Sequence, residues 1–217
     1  MAADPGGFIE TERKYEAGAD FTLPDLTGLA AVATVGGPRT DQLRAVYFDT
    51  AGLALAAARV TLRRRTGGPD AGWHLKLPAG TDSRREVHAP LGDGTEPVPA
   101  ALAGLVAGWT GGQPLRPVAR LDTTRRVLPL AGPDGQVLAE IADDLVTGWL
   151  PGQPEREWRE ESAWREIEVE LGTGTAGLLD AVGDRLRRAG AVPSAAASKL
   201  SRLLSAAGRS PQPPREG

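Results

Sequence analysis

The sequence predicts an α+β fold: a closed antiparallel β-barrel of about eight strands, with helices packed outside and a helical pair at the C-terminus. Three observations predict it. Segments of period-two alternation follow one another along most of the chain, turns rich in Gly, Pro and Asp separate them, and charged residues fill one face of strand after strand.

Five strands are expected in the first half, at 8 to 16 (FIETERKYE), 45 to 50 (AVYFDT), 60 to 66, 72 to 78 (GWHLKLP) and 83 to 91. LPDLTGLAAV from 23 and VPAALAGLVAGW from 98 have helical spacing and are expected as short helices, the second following the turn-rich GDGTEP. Strands resume at 117 to 130 and 136 to 149, joined by the hairpin signal AGPDG, and end with 164 to 172. Helices from 177 and from 194 close the fold, with Ser194 as the expected N-cap of the second. Residues 8–207 are thus expected to form one domain, between a flexible N-terminus at 1–7 and a disordered tail, GRSPQPPREG, at 208–217.

On the first strand Glu10, Glu12 and Lys14 share one face, because strand side chains alternate. A single such stripe reads as an ordinary solvated face. The device recurs, however: Arg63 and Arg65 alternate with Leu62, Lys76 with Leu75 and Leu77, Arg84 and Glu86 share one face, and Glu166, Glu168 and Glu170 alternate with Ile167, Val169 and Leu171. Solvent exposure alone predicts a mixture that includes Ser, Thr and Gln. Nearly uniform charge, with basic and acidic strands kept apart, predicts two walls facing each other inside a barrel whose apolar faces point outward. Burying so many charges is costly without partners, so the expected occupant is a highly charged ligand.

The bulk composition limits the alternatives. The 217 residues carry 25 Lys and Arg against 28 Asp and Glu, a formal net charge of −3, so no global field draws nucleic acid or an anionic membrane. The first residues, MAADPGGFIE, lack a basic start and an apolar run, no apolar stretch elsewhere approaches spanning length, and a cytoplasmic location is expected. The absence of cysteine excludes a disulfide framework and a thiolate nucleophile. With only His74 and His88, a histidine metal cluster is not expected, and any metal is assigned to carboxylates, which suits magnesium, manganese or calcium.

ETERK at 10 to 14 resembles the ExExK signature of the CYTH superfamily, the triphosphate tunnel metalloenzymes that include class IV adenylate cyclases and thiamine triphosphatases. The resemblance continues through YFDT at 47 to 50, LRRR at 62 to 65, WHLKLP at 73 to 78, Arg84 with Glu86, TTRR at 123 to 126, LAEIADD at 138 to 144, EIEVEL at 166 to 171 and SKL at 198 to 200. It covers roughly residues 8 to 205. One departure is His88, where many relatives carry an acidic residue.

The resemblance implies that Lys14, Arg63, Arg65, Lys76, Arg84 and Arg125 grip phosphates, with Arg126 as the substitute should the register differ. It also implies metal ligation by Glu10, Glu12, Glu168 and Glu170, with Asp144 as a further ligand and Glu140 nearby; Glu86 and Glu166 are weaker candidates, and Asp143 is doubtful by parity. Magnesium or manganese is expected, one ion bridging phosphates and a second activating a water in line with the terminal phosphorus. Glu10, Glu12, Lys14, Glu168, Glu170 and Lys199 form the expected catalytic set; for Lys199 an exposed helical lysine is the other reading. Without metal, the carboxylates are expected to hold raised pKa values or to draw in Lys14. Hydrolysis of a small triphosphate, inorganic tripolyphosphate first, is the leading expectation for a monomer or homodimer. A class IV cyclase, a thiamine triphosphatase and a non-catalytic polyphosphate-binding module are the alternatives.

Overall fold

The structure is a computed structural model, and it describes residues 7–80, 83–92, 98–152, 157–209 and 211. Most of the N-terminus and of the tail expected to be disordered, and most of the GDGTEP turn, lie outside these residues.

In chain order the elements are β1 (Phe8–Ala17), β2 (Thr34–Val35), β3 (Arg39–Asp49), α1 (Ala54–Ala57), β4 (Thr61–Thr66), β5 (Gly72–Pro78), β6 (Ser83–Ala89), α2 (Ala100–Thr110), β7 (Arg116–Ala131), β8 (Val137–Pro151), β9 (Trp158–Leu171), α3 (Ala176–Arg188), β10 (Val192–Pro193) and α4 (Lys199–Ala206). Eight strands form the ring β1-β6-β5-β4-β3-β7-β8-β9, all neighbours antiparallel. Closure rests on β1, which pairs with β6 through Phe8 to Thr11 and with β9 through Glu12 to Ala17. Charged faces of unlike strands thereby meet on one strand.

The apolar faces point outward. On α3, Leu178, Leu179, Val182 and Leu186 recur at helical spacing and bury against Tyr15, Ile141, Ile167 and Val169. Gly183 permits this approach, since a Cβ there would lie 2.2 Å from the Tyr15 hydroxyl. A second outer cluster packs α1 and α2 over β4, β5 and β6 through Leu55, Leu102 and Val106 onto Leu62, Trp73, Leu75 and Val87. The third cluster is internal: Leu200, Leu203 and Leu204 of α4 bury against Ala45, Tyr47, Leu121, Val146 and Leu150, so a helix fills one end of the barrel.

Three expectations differ from the fold. No helix follows residue 23: Gly28 and Ala31 both take φ of 69°, the left-handed region that interrupts a helix, and Asp25 accepts hydrogen bonds from Thr27 in a local turn. Leu26 and Leu29, the source of the helical spacing, are nonetheless buried, against the outer cluster. Helix α4 is capped by Ser198 rather than Ser194, because Val192 and Pro193 pair with β1 and keep the chain extended beyond Ser194. Finally, β3 and β9 begin six residues earlier than the apolar alternation, at Arg39 and Trp158, where polar outer faces mask the strand pattern.

Candidate functional site

The inward faces of seven of the barrel strands line a cavity of about 100 Å³. Glu10, Glu12 and Lys14 come from β1, Arg63 and Arg65 from β4, Lys76 from β5, Arg84 and Glu86 from β6, Arg125 from β7, Glu168 and Glu170 from β9, and Lys199 from α4. Its lining is shared with a cleft of about 250 Å³ toward Arg39, Asp41 and Glu140, and with another of about 430 Å³ toward Arg59 and Arg187. The larger concavity of about 960 Å³, on the outer face around Arg44, Asp122, Leu145 and Thr147, contains none of this charged set.

Register explains the assembly. Glu12 lies opposite Glu170 and Lys14 opposite Glu168 across β1 and β9, while Lys76 lies opposite Glu86 across β5 and β6. Because Lys14 stands in the acidic strand and Glu86 in the basic half, the two walls interlock rather than separate by sign. Lys14 pairs with Glu12 and, at 2.9 Å, with Glu168. Lys76 Nζ is 2.5 Å from Glu10 and 3.2 Å from Glu86.

Arg125 is turned inward, as a fork on both oxygens of Asp144 at 2.8 and 2.6 Å, and reaches Glu168 at 2.6 Å. Arg126, its neighbour, does not line the cavity, which settles the register. Lys199, in the first turn of α4, is buried among Asp144 at 2.9 Å, Glu166 at 2.6 Å and Glu168 at 2.8 Å. Those three carboxylates have the spacing of a cation site, and the ammonium of Lys199 stands in it. Asp144, expected as a metal ligand, therefore has both oxygens engaged by Arg125 and Lys199. Arg84 lines the cavity, but its guanidinium donates to the carbonyls of Arg59 and Ala197. Glu140 faces the adjoining cleft, and Asp143 is paired outside the barrel with Arg165.

Burial opposes every charge here, and the partners decide which side wins. Glu168 is held well below the usual carboxylate range because Lys14, Lys199 and Arg125 outweigh its burial. Glu12 is likewise lowered, by Lys14 and Lys76 against its burial. Glu10 is pushed up to about 8 by burial, reinforced by Glu12, Glu86 and Glu170 and offset only in part by Lys76. Burial and the neighbouring carboxylates also raise Glu170. Both expected responses are thus present: raised carboxylates, and Lys14 drawn between two of them. Among the cations, burial with Arg63 and Arg125 nearby brings Arg65 down to about 9.

Two lining groups, Tyr47 and Asp70, were not singled out in the sequence. Tyr47 accepts from Arg63 at 3.4 Å, and Asp70 pairs with Arg65. His74 and His88 both contact Glu86, at 2.7 and 2.9 Å. Opposed on adjacent strands, the two histidines form with the Glu86 carboxylate a group of three whose ligand-type atoms lie within 4.8 Å of one another, an arrangement that the count of two histidines did not bring out.

Comparison with known proteins agrees with the geometry. The CYTH domain profile matches residues 9–204. The uncharacterized protein Rv2226 of Mycobacterium tuberculosis, like the uncharacterized protein MT2285 of a second strain, is 44% identical over 227 aligned residues, covering 98% of this chain and 44% of the relative. The chain thus spans less than half the length of these relatives. Among solved structures, the PH1819 protein of Pyrococcus horikoshii superposes with a TM-score of 0.53 at 16% identity, covering 90% of this chain and 98% of that one. A candidate adenylate cyclase of Bacillus halodurans gives 0.53 at 17%, covering 91% and 98%. With its family profile matched over nearly the whole length and its strands closed into the corresponding charged barrel, this chain belongs to the CYTH domain family.

Proposed function

We propose that the protein hydrolyses a small triphosphate in this cavity with magnesium or manganese, and that inorganic tripolyphosphate is the favoured substrate. The observation that carries the reading is the confrontation of Arg63, Arg65, Lys76 and Arg125 with Glu10, Glu12 and Glu170 around one narrow space. Such a lining is completed by a polyanion on one side and a cation on the other.

The donor set fits a hard divalent ion. Glu10, Glu12 and Glu170 offer oxygen ligands only, and burial, with repulsion from neighbouring carboxylates added, holds Glu10 and Glu170 raised, a penalty on their charged form that a bound cation offsets. Glu168 stands at the edge of this set, already held by Lys14, Lys199 and Arg125. A divalent ion bound there supplies charge neutralisation on the phosphate chain and activation of water for in-line attack. The chain's own residues do the rest: the Arg forks grip and align phosphate oxygens, and Lys14 and Lys199 hold the acidic side ionised and in place.

Tripolyphosphate is favoured over a nucleotide because the lining is charged almost throughout. Its aromatic members are Phe8, Tyr47 and His88, and Tyr47 is engaged with Arg63. Phosphate release from tripolyphosphate, ATP and thiamine triphosphate with each metal is the test, with product analysis on ATP. Cleavage of tripolyphosphate in preference to the other two is expected. Cyclic AMP and pyrophosphate from ATP would instead make the protein a cyclase, and binding without turnover of any of the three would make it a binding module.

A further inference from the structure

The two histidines fall outside this reading, yet their placement is specific. His74 and His88 are direct partners across β5 and β6, and Glu86, two residues before His88, shares its inward face. Glu86 Oε1 is 2.7 Å from His74 Nδ1 and 2.9 Å from His88 Nε2. One carboxylate oxygen and two imidazole nitrogens therefore converge within 4.8 Å of one another. Phe8 packs edge-on to the His88 ring, with centroids 5.4 Å apart.

His74 faces more acceptors than it has protons. Nδ1 points at Glu86, and Nε2 lies 2.9 Å from the carbonyl oxygen of Asp70. A neutral imidazole carries one N–H. Whichever nitrogen carries it, the other turns a lone pair toward an acceptor; with the proton on Nε2 and donated to Asp70, the Nδ1 lone pair meets the Glu86 carboxylate. A cation between them removes the conflict, and a ring held through its other N–H by a backbone carbonyl is the usual arrangement of a metal-ligating histidine.

We propose that His74, Glu86 and His88 form a metal site for a borderline divalent cation, zinc by its donor chemistry, separate from the all-oxygen set of Glu10, Glu12 and Glu170. Two imidazole nitrogens and one carboxylate oxygen suit zinc with a fourth position left open. Glu86 and His88 both line the cavity, so that position is reached from it. Neighbouring cations weaken the site without filling it. Lys76 takes the other oxygen of Glu86, Arg65 is paired with Asp70, and Arg63 is bonded to Tyr47.

The test titrates metal-stripped protein with zinc alone and with cobalt(II) alone. Cobalt should develop the visible absorption of a nitrogen-ligated ion of low coordination number, and zinc should displace it. His88→Ala should weaken zinc binding at least about tenfold, while Glu12→Gln leaves it within about twofold. Since the His88 side chain is 42% exposed, His88→Ala should unfold like the parent when metal-free, and His88→Asn serves as a second variant if it does not. Absence of the cobalt bands, or zinc affinity unchanged in the histidine variants, overturns the proposal. Its readout is metal binding rather than turnover, so its failure leaves the triphosphate reading intact.

Discussion

The ammonium of Lys199 stands 2.9 Å from Oδ2 of Asp144, a carboxylate with no exposure to solvent. Two flanking carboxylates, Glu166 and Glu168, complete its surroundings, so the first turn of α4 locks the acidic wall from within. Removing one partner of a buried ion pair costs roughly 3–5 kcal/mol, because the remaining charge is stranded. Lys199→Met is therefore expected to lower the thermal midpoint markedly at neutral pH. The loss should shrink as pH falls and the stranded carboxylates protonate, and an unchanged midpoint would mean that α4 is not held through this lysine.

Glu10 sets a pH dependence of opposite origin. Its folded-state pKa of about 8 lies above the ordinary 4.5, so its contribution to stability is fully present below the ordinary value and is lost as pH rises through the raised one. Metal-free protein should lose stability across this window, with Glu170 adding in the same direction. A divalent cation needs the ionised carboxylate, so the stabilisation by magnesium or manganese should grow from about pH 5 to about pH 8. Thermal unfolding with and without metal checks this, and Glu10→Gln should flatten both curves.

Much of the charged lining was legible before the structure because strand parity is local. Glu10, Glu12, Lys14, Arg63, Arg65, Lys76, Glu168 and Glu170 needed only the alternation of side chains and a closed sheet to face one another. What strand parity alone left open depends on register between strands and on helix placement. That His74 opposes His88, that Arg125 rather than Arg126 turns inward, and that Lys199 points into the barrel are consequences of pairing and packing. The segment after residue 23 misled for another reason. Leu26 and Leu29 bury at helical spacing, yet the left-handed Gly28 and Ala31 set the backbone.

Glu168 is the meeting point of three cations: Lys14 at 2.9 Å, Lys199 at 2.8 Å and Arg125 at 2.6 Å. Glu168→Gln keeps the volume but releases the charge that holds them, so Lys14 and Arg125 should drift from the positions in which the proposed function has them align a phosphate chain. Turnover of tripolyphosphate should fall by about 10²- to 10³-fold, with tripolyphosphate binding retained, because the cations remain. Equal turnover in this variant would remove the acidic wall from the chemistry.

The coupling between the plug helix and the site can be tested at a distance from any charge. Gly148, on the inward face of β8, lies against Leu203 of α4; a Cβ built there falls 2.6 Å from Leu203 Cδ1 and 3.2 Å from Trp164 Cζ3. Gly148→Ala should thus overpack the barrel end and cost about 1–3 kcal/mol, since filled cores accommodate an added methyl by shifting backbone. A shift of α4 that relieves the contact also moves Lys199, four residues before Leu203, so turnover should fall together with stability, whereas a change confined to the Leu203 rotamer should leave turnover unchanged. Leu203→Ala alone opens a cavity and destabilises by about 2–5 kcal/mol. In combination, the new methyl occupies part of the space the leucine vacates, and the two losses should fall short of their sum by roughly 0.5–3 kcal/mol. Denaturant unfolding of the two single variants and the double variant measures this coupling, and strict additivity would show that α4 does not seat on Gly148.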